Sequence, residues 1–268
     1  MFTPMNTTSL AKDGPQKTLI YGHHGAGKTT QARYYRRRYG KGFIISGESG
    51  LRSIMNDDID FLPFNSFNGK TDPGTGDYSL SALLDYVESS SFAAAGYKWV
   101  MLDSLTEVSD RLIEFLEPKY AASKNGMQMW GDYGKFMLGT VKRFRDLPHH
   151  VLVTALAKEE SDDNGGTDYW PNIKGGSVKQ VPGMFDNVFC LIRATSGDRT
   201  NPKVDRYVVT DEVRGWHGKA RDPRRRLRAV EKCDDVTDLF VRMEMPDSDF
   251  EKYLDAMKVV EQATASAA

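Results

Sequence analysis

The sequence predicts an α/β fold in which a mostly parallel central sheet is flanked by helices, and three observations carry that expectation. Short apolar runs alternate with segments of helical spacing along most of the 268 residues. That is the pattern of strand-helix-strand units whose strands are covered on both faces. Between the first apolar run and the first helical segment, Gly22-His23-His24-Gly25-Ala26-Gly27-Lys28-Thr29 matches G-x-x-x-x-G-K-[ST] at every fixed position. A composition of 40% hydrophobic and 27% charged residues is ordinary for a globular protein with one sizeable core.

Residues 1–16 carry Pro4, Gly14 and Pro15 among Thr, Asn and Ser, and are expected to form a flexible arm before a core over 17–232. The run at 17–21 reads as a buried strand, and residues 29–39 as a helix stopped by Gly40. A second strand is expected at 41–46, a Gly-rich loop at 65–78 and a helix at 79–90. Four apolar residues from Trp99 to Leu102 make a third strand, followed by helices at 105–116 and 133–147. The second of these places Phe136, Met137, Val141 and Phe144 at helical spacing. Strands follow at 151–157, 186–193 and 206–213. Residues 233–268 form an acidic C-terminal segment with a helix at 249–262 and a disordered tail.

The octapeptide is a phosphate cradle. A triphosphate needs many donors in a small volume, and glycines let backbone N–H groups curl around it without a β-carbon in the way. Gly22, His23, His24, Gly25, Ala26, Gly27, Lys28, Thr29 and Thr30 are therefore the expected ATP-binding residues. Lys28 reaches the β- and γ-phosphates, and the Thr29 hydroxyl ligates Mg²⁺. The metal shell also needs a carboxylate, which Asp103 supplies through water at the end of the third strand. Ser104 follows where many motor ATPases have a glutamate, so the residue that activates water comes from elsewhere.

Asp103-Ser104, together with Phe43-Ile44-Ile45-Ser46-Gly47-Glu48 after the P-loop helix, resembles the RecA/RadA recombinase core. The resemblance implies Glu48 as general base, with Glu107 as the fallback. It extends over residues 17–229, about four fifths of the chain, and is nearest to the short phage RecA-like ATPases that act as single-strand annealing recombinases. In that family the strand at 151–157 ends in a residue that senses the γ-phosphate, a position Lys158 fills, although the usual Asn-Gln is missing. Residues 157–181 fall where the second DNA-binding loop lies; Tyr169, Trp170, Lys174 and Lys179 offer stacking faces and ammonium groups there. The same stretch also reads as an exposed β-hairpin lid. Residues 118–130, with Lys124, fall at the first DNA loop or form a connection between helices. Near Lys28 the sequence holds no further cation for the γ-phosphate, and the resemblance implies one from a neighbouring subunit, Lys219 or Arg221. A filament or ring is expected accordingly. With no separate DNA-binding domain ahead of the P-loop, the chain reads as a motor core suited to annealing with the help of a single-strand binding protein.

Charge adds a further question. Residues 193–228 hold eleven Lys or Arg against five Asp or Glu, and residues 231–251 hold two against eight. Either the basic segment binds polyanion, with Arg224, Arg225, Arg226 and Arg228 on phosphate, or the two segments pair with each other. The formal net charge of −1 excludes a grossly basic DNA-coating protein. Two cysteines fit a reduced, cytoplasmic location, which for a phage protein is the host cytoplasm. The five histidines show no metal-ligand spacing, and neither a membrane span nor a signal peptide is visible. The competing functions are a P-loop kinase of nucleosides or metabolites and a packaging or loading ATPase that acts on protein.

Overall fold

The strand leading into the P-loop, β1 (Lys17–Gly22), is buried at all six positions and has a parallel neighbour on each side. The computed structural model describes residues 14–48, 50–122, 126–161, 165–198 and 200–266, with side chains through residue 258. Most of the expected N-terminal arm, and Lys124, lie outside the described residues. After β1 come α1 (Gln31–Tyr39), β2 (Gly42–Ser46), β3 (Asp60–Pro63), α2 (Leu80–Val87), α3 (Ser90–Ala94) and β4 (Trp99–Asp103). The long helices α4 (Leu105–Tyr120) and α5 (Gly126–Asp146) precede β5 (His150–Ser161), β6 (Thr167–Pro171), β7 (Asn187–Ser196) and β8 (Lys203–Val209). Short strands β9 (Glu212–Val213), β10 (Trp216–His217) and β11 (Val230–Lys232) lead to α6 (Val236–Glu244) and α7 (Asp247–Ser266).

The main sheet runs β3-β2-β4-β5-β1-β7-β8-β11, parallel from β3 to β7 and antiparallel beyond. One strand, β5, therefore separates the P-loop strand from the strand ending in Asp103. Alternation along each strand sends side chains to two cores. Leu19 and Tyr21 face Leu83, Leu112, Met137 and Phe144 beneath α2, α4 and α5. Ile20 faces Ala32, Tyr35, Leu239 and Phe240 of α1 and α6 on the other side. Each fully buried side chain of this size contributes about 1.5–3 kcal/mol. Gly42 is obligatory in β2, because a β-carbon there would fall 1.8 Å from the Trp99 ring.

Serine caps explain three helix starts: Ser79, Ser89 and Ser104 accept from the backbone N–H of Ala82, Phe92 and Glu107. No side chain caps α1 at Thr30; the N–H groups of Gln31, Ala32 and Arg33 donate instead to the carbonyls of Lys28, Thr29 and Thr30.

Several sequence expectations change. Helix α1 starts at Gln31 rather than residue 29, because residues 28–30 form a turn. Of residues 118–130, those up to Tyr120 belong to α4 and those from Gly126 to α5. Among the described residues of 157–181, β5 runs on to Ser161 and pairs antiparallel with β6, opposing Glu159 to Tyr169 and Lys158 to Trp170. Its mixed acidic and aromatic faces lack the apolar alternation by which a strand is read. The strand expected at 206–213 is β8, ending at Val209, with Thr210 and Asp211 turning toward β9. The last helix extends over Asp247–Ser266. Helix α6 was hidden by the acidic charge of its segment, yet Val236, Leu239, Phe240 and Met243 pack into the second core.

Two arginines of the basic segment have partners in the acidic one. Arg226 is buried and donates to the Met245 and Arg242 carbonyls and to Asp247, while Arg224 reaches Met245 O at 2.7 Å. Basic and acidic segments pair with each other here.

Candidate nucleotide site

The P-loop lies at the carboxyl end of β1 and opens into α1. Gly25 and Gly27 have φ of 70° and 101°, conformations that L side chains rarely adopt and that a loop curling round phosphate requires. Lys28 is buried in the loop and donates from Nζ to the carbonyl oxygens of Gly22 (2.9 Å) and His23 (3.0 Å). Burial lowers the pKa of its ammonium, against the attraction of Glu48 and Asp103.

Thr29 Oγ1 donates to Asp103 Oδ2 at 3.0 Å, which puts the two expected metal-site residues in contact. The other carboxylate oxygen of Asp103 accepts from Thr154 Oγ1 of β5. Burial pushes the Asp103 carboxyl above its usual range, while the hydroxyls of Thr154 and Thr29 pull it down. A hydroxyl and a fixed carboxylate are hard oxygen donors, which suits Mg²⁺. Among the described residues no group of three His, Cys, Asp or Glu forms a metal cluster. A cation here would take the rest of its shell from phosphate and water, the usual habit of Mg²⁺.

Glu48 follows β2, the neighbour of β4, and accepts from Ser104 Oγ through Oε1. The Asp103–Ser104 peptide is cis. Glu107, the fallback base, lies one helical turn into α4 with Oε1 2.8 Å from Arg111 Nη2. Gly47 separates the two carboxylates, since a β-carbon there would meet the Glu107 side chain at 2.5 Å. Lys158 stands two residues past the level of Gly22 and pairs with Glu160 at 2.8 Å, turned to its own hairpin.

The hairpin β5–β6 meets the P-loop through His23. That ring sits edge-on to Tyr169 and Trp216, with centroids at 5.7 and 5.5 Å, and its Nε2 is 3.9 Å from Glu159. The aromatic faces of the hairpin already have partners. Tyr169 stacks on Trp216 (4.2 Å, 6°), Trp170 stacks on His217 (3.8 Å), and Lys179 Nζ stands 5.6 Å from the Trp170 ring. Lys174 pairs with Asp110 at 2.8 Å. His24 is exposed at the loop's outer edge.

Lys219 and Arg221 lie at the far end of β7. Lys219 bridges to Val188, level with Leu19, and its Nζ is 3.4 Å from the Pro182 and Gly183 carbonyls. Arg221 pairs with Asp186 at 3.0 Å. Neither faces its own P-loop. The cations beside the loop are instead Arg193 of β7 and Arg206 of β8, which sequence reading missed along with Thr154. A β-carbon on Gly25 would stand 3.4 Å from Arg193 Nη1, and one on Gly27 3.3 Å from Arg206 Nε. Strand register alone brings these residues in, and no local motif marks them.

The family described as AAA domain matches residues 14–221 of this chain. No curated protein matches it. Among solved structures the chain is similar to a KaiC-like protein of the hyperthermophilic archaeon Pyrococcus horikoshii OT3. Identity there is 14%, over 73% of this chain and 80% of that one, with a TM-score of 0.40. It is also similar to the flagellar accessory protein FlaH of Methanocaldococcus jannaschii, at 10% identity over 76% and 82% of the two chains and a TM-score of 0.34.

Proposed function

We infer, from the premise that this chain belongs to the AAA-domain family, that it binds ATP with Mg²⁺ and hydrolyses it, and that it uses the cycle to act on single-stranded DNA. The observation that carries the ATPase reading is the contact of Thr29 with Asp103 beside a buried P-loop lysine. Thr29 and Asp103 would hold Mg²⁺, which would supply charge neutralisation to the phosphates. Lys28 exchanges its two carbonyl acceptors for phosphate oxygens, and Thr29 and Asp103 hold the metal side. Glu48, fixed by Ser104, takes the proton of the attacking water.

The DNA reading is supported by the hairpin, whose packing on His23 gives the P-loop a direct partner in the segment carrying Tyr169, Trp170, Lys174 and Lys179. Since each ring already has a stacking partner on one face, contact with DNA is made first through phosphates by the lysines. Assembly into a filament or ring is part of the reading, with Lys219 or Arg221 directed at a neighbour's nucleotide, and annealing assisted by a single-strand binding protein is the activity. The setting is the cytoplasm; no helix among the described residues is long and apolar enough to cross a membrane.

The test is the rate of phosphate release with and without single-stranded DNA. Stimulation is expected. Turnover that is indifferent to DNA but consumes a nucleoside as phosphoryl acceptor would replace this reading with the kinase one.

A further inference from the structure

We propose that Arg193 binds the phosphates of the nucleotide held by its own chain's P-loop, so that the site has a second cation without help from a neighbour. The proposal rests on the reading of the P-loop as the ATP site and deepens it.

Position is the first argument. Strand β7 runs parallel to β1 with Leu191 level with Gly22, so Arg193 stands just past the end of β1, where the P-loop begins. It shares a face with Leu191, the face covered by α1, and its Nη1 lies against Gly25. Gly25 is inside the loop whose N–H groups form the phosphate cradle.

Charge is the second argument. Arg193 and Arg206 oppose each other directly across the antiparallel pair β7–β8. Like charges in that arrangement destabilise a sheet. Both also border a loop that already holds Lys28 and the positive end of α1. Arg206 has a counter-ion, Asp234 at 3.3 Å. Arg193 is exposed, and its side chain has no ion pair or hydrogen bond among the described residues. An unpaired guanidinium placed among other positive groups is stabilised by an anion bound in their midst. Its planar fork suits two phosphate oxygens at once. Arg206 is held by Asp234 beside Gly27 and is not free to do the same.

The two arginines come from strands of the same chain as Lys28, which separates this proposal from a cation donated across an interface. The full-length chain is tested as wild type, Arg193→Ala, Arg193→Lys and Lys28→Ala, by equilibrium binding of a non-hydrolysable ATP analogue and by phosphate release. Arg193→Ala is expected to weaken analogue binding about tenfold, the weight of one charge-assisted contact, with Arg193→Lys in between. Mixing Arg193→Ala with Lys28→Ala is expected to give no more turnover than the sum of the two alone, because both groups serve the same nucleotide. Restored turnover in the mixture would overturn the proposal in favour of action between subunits. Unchanged binding and turnover in Arg193→Ala, with Lys28→Ala inactive, would overturn it in favour of a bystander arginine. Wild-type binding in Lys28→Ala would instead remove the P-loop as the nucleotide site, and the function proposed above would fall with it.

Discussion

Replacing Glu48 with glutamine removes a base but keeps an oxygen for the Ser104 hydroxyl to donate to, so the local geometry survives the change. A positioned base contributes about 10²–10⁴ to a rate. Only one oxygen of Glu48 is available to a water, because Oε1 is engaged by Ser104, and this points to the lower end of the range. The expected loss is about a hundredfold in kcat, or about 2.7 kcal/mol of transition-state stabilisation. Affinity for ATP is expected to hold, since the proposed phosphate ligands lie in the P-loop and Glu48 is not among them. Steady-state phosphate release gives kcat, and equilibrium binding gives the affinity. The companion variant is Glu107→Gln, whose carboxylate is already tied to Arg111. Glu48→Gln at the wild-type rate beside a slow Glu107→Gln would refute the assignment and move the base one helical turn into α4.

Three further outcomes follow from the packing. His150 accepts the Gln16 N–H at Nδ1 and stacks on Tyr39, and burial lowers its pKa to about 4. The unfolded chain, at about 6.5, binds the proton more readily, so this contribution is complete above pH 6.5 and lost as the pH falls toward 4. The ceiling is about 3 kcal/mol, or about 2 after discounting for the part-exposed ring, and His150→Gln should flatten the urea midpoint across that window. Arg226→Ala should cost about 1–3 kcal/mol in urea denaturation by orphaning the Arg242 carbonyl and leaving Met245 O to Arg224 alone, while the salt dependence of DNA binding stays unchanged. A loss of DNA affinity at constant stability would return Arg226 to the polyanion surface. The double variant Lys174→Ala, Lys179→Ala should reduce the slope of log affinity against log salt for single-stranded DNA by about one unit per lysine, and an unchanged slope would place the DNA elsewhere.

What sequence reading could see of the site depends on how locally each residue is specified. The P-loop is legible because the cradle needs glycine at positions where φ is positive, as at Gly25 and Gly27, and those positions are adjacent in sequence. Asp103 is legible as the polar stop of a buried apolar strand. Thr154 reaches Asp103 only because β5 inserts between β1 and β4, and a lone threonine in a β-branched strand carries no mark of that register. Arg193 and Arg206 arrive in the same way, through the pairing of β7 with β1 and with β8. The fold class was readable from the alternation of buried strands and helices. The hairpin β5–β6 was not, since aromatic residues there oppose acidic and basic ones, and pairing rather than burial pattern defines it. Helix α6 was within reach of its own spacing, with Asp235 as cap, but the surrounding acidic charge drew the reading toward a solvated segment.

Tyr21, the last residue before Gly22, donates its hydroxyl to Tyr169 O at 2.9 Å and accepts the His217 N–H at 2.9 Å. One phenol thus fastens the return strand of the hairpin and the short strand beside it to the root of the P-loop. The loop root, the return strand and the short strand therefore meet at a single oxygen, so a shift of any one of them is felt by the other two. The stacked rings of Tyr169 and Trp216 stiffen that junction.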